Sequence, residues 1–207
     1  MNTSLRLFAG VAALVSVAMV TVVLARPVAA KGKGKAKATH TTVVLQTSLG
    51  NMTAELFDDQ APKTVANFIK LTKSGLYDGV KFHRIIKGFM VQTGDPNTKK
   101  GSSNTWGTGG SGTNVDAEFS KTMKHELGTL SMARGGNDVN SASSQFFICL
   151  GNQKSLDGQY SIFGKVTGGL DVLQKLGTVK VKASEVMGGE MSQPLVAPVL
   201  KKVTIKK

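Results

Sequence analysis

Apolar and polar positions alternate in short runs along this chain, and clusters of Gly, Asn, Asp and Ser separate the runs. That pattern predicts many short strands and few helices. Residues 42–47 and 52–57 flank a Ser-Leu-Gly-Asn stretch at 48–51 and read as two strands joined by a short turn. Six further blocks read as strands: 81–86, 89–92, 129–133, 145–150, 161–166 and 199–205. Two segments break the period of two. Pro62 suits a first helical turn, and Val65, Phe68, Ile69 and Leu71 then recur at near-helical spacing until Gly75, which predicts an amphipathic helix of about three turns. A shorter helix is predicted over 170–176, bounded by Gly169 and Gly177. Eight strands can close into a barrel filled by side chains, although periodicity alone does not separate a barrel from a sandwich.

Strand alternation sorts the side chains by face. Over 82–86, Phe82, Arg84 and Ile86 share one face and His83 and Ile85 the other; over 144–149, Gln145 and Phe147 oppose Phe146 and Ile148. Both faces are largely apolar, so one can fill an interior while the other needs a helix or a ligand as cover. The faces carrying Arg84, and Gln145 with Phe147, hold the polar groups a peptide-binding groove requires. A permanently charged arginine inside an apolar strand is costly unless it faces a cleft and is hydrogen-bonded.

The 207 residues fit one domain with an appendage. Residues 7–25 form an uncharged, mostly apolar run preceded by Arg6 and followed by small residues at 28–30. Residues 1–30 are therefore expected to be a secretory signal cut after Ala30 or Ala25, giving an exported protein, periplasmic or extracellular; the alternative is an uncleaved membrane anchor through 7–25. Arg26, Lys31, Lys33, Lys35 and Lys37 just past the run work against translocation. Residues 31–40 alternate Lys with Gly and Ala and read as a basic flexible linker, leaving 41–207 as the folded domain.

The net charge of +13 changes meaning once it is located. Without residues 1–30 there are 24 cations against 13 anions, and eight of the 24 lie in the tails, at Lys31, Lys33, Lys35, Lys37, Lys201, Lys202, Lys206 and Lys207. The body is nearly neutral. Solvated tails able to touch a polyanion or membrane surface are expected, with no specific nucleic-acid reader, since the tails lack interleaved aromatics. The single Cys149, flanked by Ile148 and Leu150, has no internal partner and reads as a buried strand residue.

The stretch FHRIIKGFMVQTGD at 82–95 resembles the signature of the cyclophilins, and GTLSMAR at 128–134, SQFFI at 144–148, LDG at 156–158 and IFGKV at 162–166 resemble further blocks of that family in the family's order. The resemblance covers roughly residues 41–206. It implies a mainly β fold, a closed eight-stranded antiparallel β-barrel capped by two short helices. It also implies peptidyl-prolyl cis-trans isomerase activity on proline-containing polypeptides, assistance to protein folding, no cofactor, no metal and a monomer. By the same resemblance Arg84, Gln92 and Phe89 are catalytic. Met90, Ala133, Gln145, Phe147, Leu156 and Tyr160 bind substrate, with Gln92 and Gln145 orienting Arg84 and the substrate backbone. Ser155 stands where drug-sensitive members often carry Trp, so cyclosporin should bind weakly. Tyr160 and the length of the 132–145 loop look more like bacterial members.

Other signals are weak. GTGGSG at 107–112 fits a dinucleotide pattern formally but has neither the strand nor the helix that binding needs, and resembles a cyclophilin glycine loop beside the groove. His40, His83 and His125 lack metal-ligand spacing, and His83 reads as a satisfied strand histidine. Trp106 reads as a loop anchor. The competing function is a non-catalytic barrel that grips proline-containing segments while its basic tails hold an acidic surface.

Overall fold

A computed structural model describes residues 40–206. The expected signal at 1–30, or anchor through 7–25, lies outside the described residues, as does the expected linker at 31–40 except for His40, which is held against the domain with Nε2 3.1 Å from Asp59 Oδ1. Eleven strands and two α-helices follow in the order β1 (Thr41–Thr47), β2 (Gly50–Leu56), α1 (Pro62–Lys73), β3 (Val80–Lys81), β4 (Arg84–Ile86), β5 (Met90–Thr93), β6 (Thr129–Met132), β7 (Phe146–Cys149), β8 (Ile162–Gly168), α2 (Leu170–Gly177), β9 (Val181–Ser184), β10 (Glu190–Pro194) and β11 (Val199–Ile205).

Nine strands form one curled antiparallel sheet in the order β3, β11, β1, β2, β8, β6, β7, β5, β4, and β9 pairs with β10 in a separate two-stranded ribbon. The closed eight-stranded barrel expected from the sequence is not what forms. β3 and β4 are the two edges of the sheet, and they are two halves of one segment that the sequence predicts as a single strand over 81–86. The break falls at Phe82 and His83. The Phe82 amide donates to the Pro198 carbonyl on the β11 side, and the His83 amide donates to the Gln92 carbonyl of β5, so the chain crosses from one edge to the other there instead of pairing with itself. The break also alters the face assignment: Phe82 is fully buried in the main core, whereas Arg84 and Ile86 lie on the groove side.

The interior is built from the alternation. Ile85, Val91, Ile148 and Leu130 sit opposite one another across β4, β5, β7 and β6, and all four enter the main core. Both helices lay their buried stripes on that core, Val65, Phe68 and Leu71 from α1 and Val172, Leu173 and Leu176 from α2. Phe68 packs its ring against Tyr77, Phe146 and Phe163 at centroid distances of 4.9 to 5.4 Å. The first turn of α1 is capped from far along the chain, since the Glu118 carboxylate accepts from the amides of Lys63 and Thr64.

Candidate active site

The residues left out of the main core assemble a second surface. Arg84, Gln92, Phe147 and Ser131 face one another in successive registers of β4, β5, β7 and β6, and Ile86, Met90 and Cys149 form the next row. A side-chain period of two therefore aims all seven away from the main core. Met90, Phe147 and Cys149 form a small buried cluster of their own, with Ile86, Phe89, Ala133, Leu156 and Tyr160 packed around it.

Two adjoining hollows open on this surface. The smaller, about 100 Å³, is lined by Phe89, Met90, Phe147, Leu156 and Tyr160 with Arg84 and Gln92 at its edge. The larger, about 380 Å³, runs from Arg84 and Gln92 past Gly107, Gly109 and Gln145 to Met187. All nine residues expected from the sequence line one hollow or the other, and Ala133 lines both. The Ala133 amide is spent on the Gln145 carbonyl.

The polar side chains form a relay. Gln145 Nε2 donates to the carbonyls of Gly107 and Gly109, at 3.0 and 2.7 Å, which fixes the orientation of its amide. Its Oε1 then accepts from Gln92 Nε2 at 2.9 Å, and Gln92 Oε1 is left to accept from Arg84 Nη1 at 3.3 Å. Gln145 thus reaches Arg84 only through Gln92, with both its donors engaged on the glycine loop. Gly94 lets β5 turn close under this relay: its φ is +91°, and a Cβ there would collide with the Ser144 carbonyl.

Phe147 rests on a chain of three side chains that mimics a nucleophile triad. His125 Nδ1 lies 3.0 Å from Asp157 Oδ1, and His125 Nε2 lies 3.0 Å from Ser131 Oγ. Ser131 and His125 are buried and the Ser131 hydroxyl lies 3.2 Å from the Ser161 carbonyl, so this serine is not presented to a substrate carbonyl as a nucleophile. Burial holds the imidazole below the usual histidine range, against the pull of Asp157. The neutral ring stacks on Phe147 at 6.0 Å and Tyr160 meets Phe147 edge-on at 5.7 Å, which fixes the floor of the small hollow. Cys149 beside it is no reactive thiol, since burial pushes its pKa up to about 12. Trp106 anchors its loop beneath Lys81, whose Nζ lies 4.7 Å from the ring.

His83 is not the satisfied histidine the sequence suggests. Both ring nitrogens are buried with no hydrogen-bond partner, because the strand break turns the ring under the glycine loop beside Gly107. Burial lowers its pKa to about 4, opposed by Asp95 and by the nearby Lys81 backbone and Gln145 side chain, neither of which closes a hydrogen bond of good geometry on the ring. The folded pKa is depressed, so between about pH 6.5 and about 4 the unfolded chain binds a proton that the folded chain refuses. Stability from this group is then complete above pH 6.5 and falls by about 1.4 kcal/mol per pH unit as the pH drops through that window. Urea melts at pH 7 and pH 5 should show a smaller acid loss for His83→Leu than for the wild type; an equal loss would remove His83 as its source.

Sequence reasoning missed Arg134, Met187 and Glu190. Arg134 stacks its guanidinium 4.8 Å over Tyr160 at the rim of both hollows. Met187 and Glu190 come from the β9–β10 ribbon, whose short polar strands carry no local signal. Glu190 meets Arg84 across 106 residues of chain, Oε1 accepting from Nε at 2.7 Å and Oε2 from Nη2 at 2.8 Å.

The described residues form a curled antiparallel sheet that carries a small apolar hollow with the guanidiniums of Arg84 and Arg134 at its edge. The comparisons give that arrangement its family. The sequence profile of the family described as "Cyclophilin type peptidyl-prolyl cis-trans isomerase/CLD" matches residues 42–205. A peptidyl-prolyl cis-trans isomerase-like 3 of Gallus gallus is 47% identical over 136 residues, covering 65% of this chain and 80% of that protein. The Arabidopsis thaliana peptidyl-prolyl cis-trans isomerase CYP18-2 is 44% identical over 140 residues, covering 67% and 81%. The crystal structure of a Cryptosporidium parvum cyclophilin-type isomerase, determined in the presence of the dipeptide Ala-Pro, superposes with a TM-score of 0.70 at 33% identity, covering 80% of this chain and 99% of that one. The chain belongs to the cyclophilin-type peptidyl-prolyl cis-trans isomerases and is an enzyme of that type. These relatives are eukaryotic, and nothing in them supports the bacterial affinity suggested by Tyr160 and the 132–145 loop.

Proposed function

We propose that Arg84 accelerates rotation about X-Pro bonds by donating a hydrogen bond to the prolyl nitrogen, and that the small hollow grips the proline ring. Rotation faces a barrier of about 20 kcal/mol because amide conjugation must be broken. At the twisted midpoint the nitrogen becomes pyramidal and gains a lone pair absent from the planar ground state, so a donor aimed there lowers the barrier selectively. Arginine donates without having to lose its proton. The observation that carries this reading is the juxtaposition of the Arg84 Nη1 edge, held by Gln92, with a hollow walled by Phe89, Met90, Phe147, Leu156 and Tyr160. Two of these walls flank the guanidinium, the Met90 sulfur 3.9 Å from Arg84 Nη1 and the Phe89 ring 6.0 Å from Arg84 Cζ. The use of Ala-Pro with the Cryptosporidium enzyme supports a proline-sized ligand for this fold. Acceleration of cis-trans exchange in a proline peptide by the full chain, with loss of that rate in Arg84→Ala, is the test. Binding without turnover would favour the non-catalytic barrel instead.

The physiological setting belongs to the same proposal: an exported isomerase that assists the folding of proteins leaving the cell. It rests on the apolar run at 7–25 and the small residues at 28–30. N-terminal sequencing of the protein recovered from its source should begin at Lys31 or Arg26; a start at residue 1 or 2 would sink cleavage and leave the anchor.

A further inference from the structure

The β9–β10 ribbon delivers a carboxylate to the guanidinium. Glu190 is the first residue of β10, fixed there by its own amide, which donates to the Met187 carbonyl across the ribbon tip, and by the Gly189 amide, which donates to the Ser184 carbonyl. Its two oxygens take the Nε and Nη2 edge of Arg84 in a fork-to-fork pair, with the arginine side chain 22% and the glutamate side chain 34% exposed. The opposite edge is what remains. Nη1 lies 3.3 Å from Gln92 Oε1 and 3.9 Å from the Met90 sulfur, and both of those residues line the small hollow.

An arginine held only by Gln92 could turn about its last bonds and carry Nη1 away from the hollow. The bidentate pair fixes both the plane of the guanidinium and the edge it presents. We propose that Glu190 is a positioning residue for the isomerase reaction, holding Arg84 edge-on so that Nη1 faces the small hollow. This rests on Arg84 being the donor. The carboxylate touches the side of the guanidinium away from the hollow, so it acts through Arg84 and not on the substrate. Orientation of a donor matters at the transition state, and its loss falls on kcat. The guanidinium in turn holds the Glu190 carboxyl below the usual carboxylate range, which keeps the pair ionised at neutral pH.

The experiment is NMR exchange on a proline peptide at saturating and subsaturating concentrations, using the full chain as wild type, Glu190→Gln, Arg84→Ala, Arg84→Lys and the Arg84→Lys, Glu190→Gln double variant. Glu190→Gln is expected to lower kcat about five- to tenfold with KM within about twofold. In the Arg84→Lys background the same change should cost less than about twofold, because lysine cannot be held by a fork. An unchanged or raised kcat for Glu190→Gln overturns the proposal, the raised value showing that the carboxylate competes with substrate for Arg84. An equal loss in both backgrounds also overturns it, since Glu190 would then act through the fold. Should Glu190→Gln fold poorly, the wild-type Arg84 Nε–H resonance decides: slow solvent exchange supports a persistent pair, and exchange at the rate of an unpaired arginine overturns it. A full rate in Arg84→Ala would instead strike the donor reading itself, which keeps the two failures apart.

Discussion

Arg84→Ala is expected to lower kcat/KM for a proline peptide by about 10² to 10³-fold, the range found when one preorganised donor is taken from a charge-stabilising site. The loss should fall on kcat, because the planar ground state offers the prolyl nitrogen no lone pair to bond and binding in the hollow depends on apolar walls. The fold should survive. Arg84 lies outside the main core, and the Glu190 carboxylate it abandons is partly exposed and can be solvated. Arg84→Lys should recover little, because a lysine cannot satisfy Glu190 and Gln92 from opposite edges of one plane. A folded Arg84→Ala enzyme with kcat within about threefold of wild type would place the catalytic donor elsewhere.

The parts of the fold readable in the sequence are those fixed by one buried face. β1 alternates buried and half-buried positions from Val43 to Thr47, and β11 begins and ends where the apolar pattern does. α1 is likewise written in Pro62 and in the spacing of Val65, Phe68 and Leu71. The groove face is legible for the same reason: Gln145 with Phe147 points one way and Phe146 with Ile148 the other, and both pairs lie as that reading requires.

What is not legible depends on partners far along the chain. Residues 81–86 read as one strand, and only the acceptors at Pro198 and Gln92 split it, leaving the sheet open and sending Phe82 inward. The β9–β10 ribbon is short, polar and interrupted by a register shift after Met191, so no period marks it. Glu190 illustrates the consequence: an ordinary surface glutamate by sequence, it becomes the partner of Arg84 only because the ribbon packs beside β4. His83 shows the same limit from the other side, since its orphaned ring follows from the split and not from its neighbours in sequence.

Phe147→Ala is the second large effect, and it separates gripping from donating. The Phe147 ring is buried in one cluster with Met90 and Cys149 and is held by Tyr160 edge-on and by His125 face-on. Removing it hollows the floor on which a proline ring would rest, while Arg84, Gln92 and Glu190 keep their mutual bonds, none of which involves Phe147. Weaker apolar packing on a proline-sized ring and the entry of water into the hollow should together lower kcat/KM by about 30-fold or more. This loss should appear chiefly as a raised KM, in contrast to Arg84→Ala. Stability should drop by about 2 to 3 kcal/mol, below the usual cost of a core phenylalanine because one side of the cavity opens to the groove. Phe147→Leu should recover much of both. A Phe147→Ala protein that is folded at the assay temperature and binds proline peptides as the wild type does would show that the ring only fills space and that substrate is gripped in the larger hollow towards Met187.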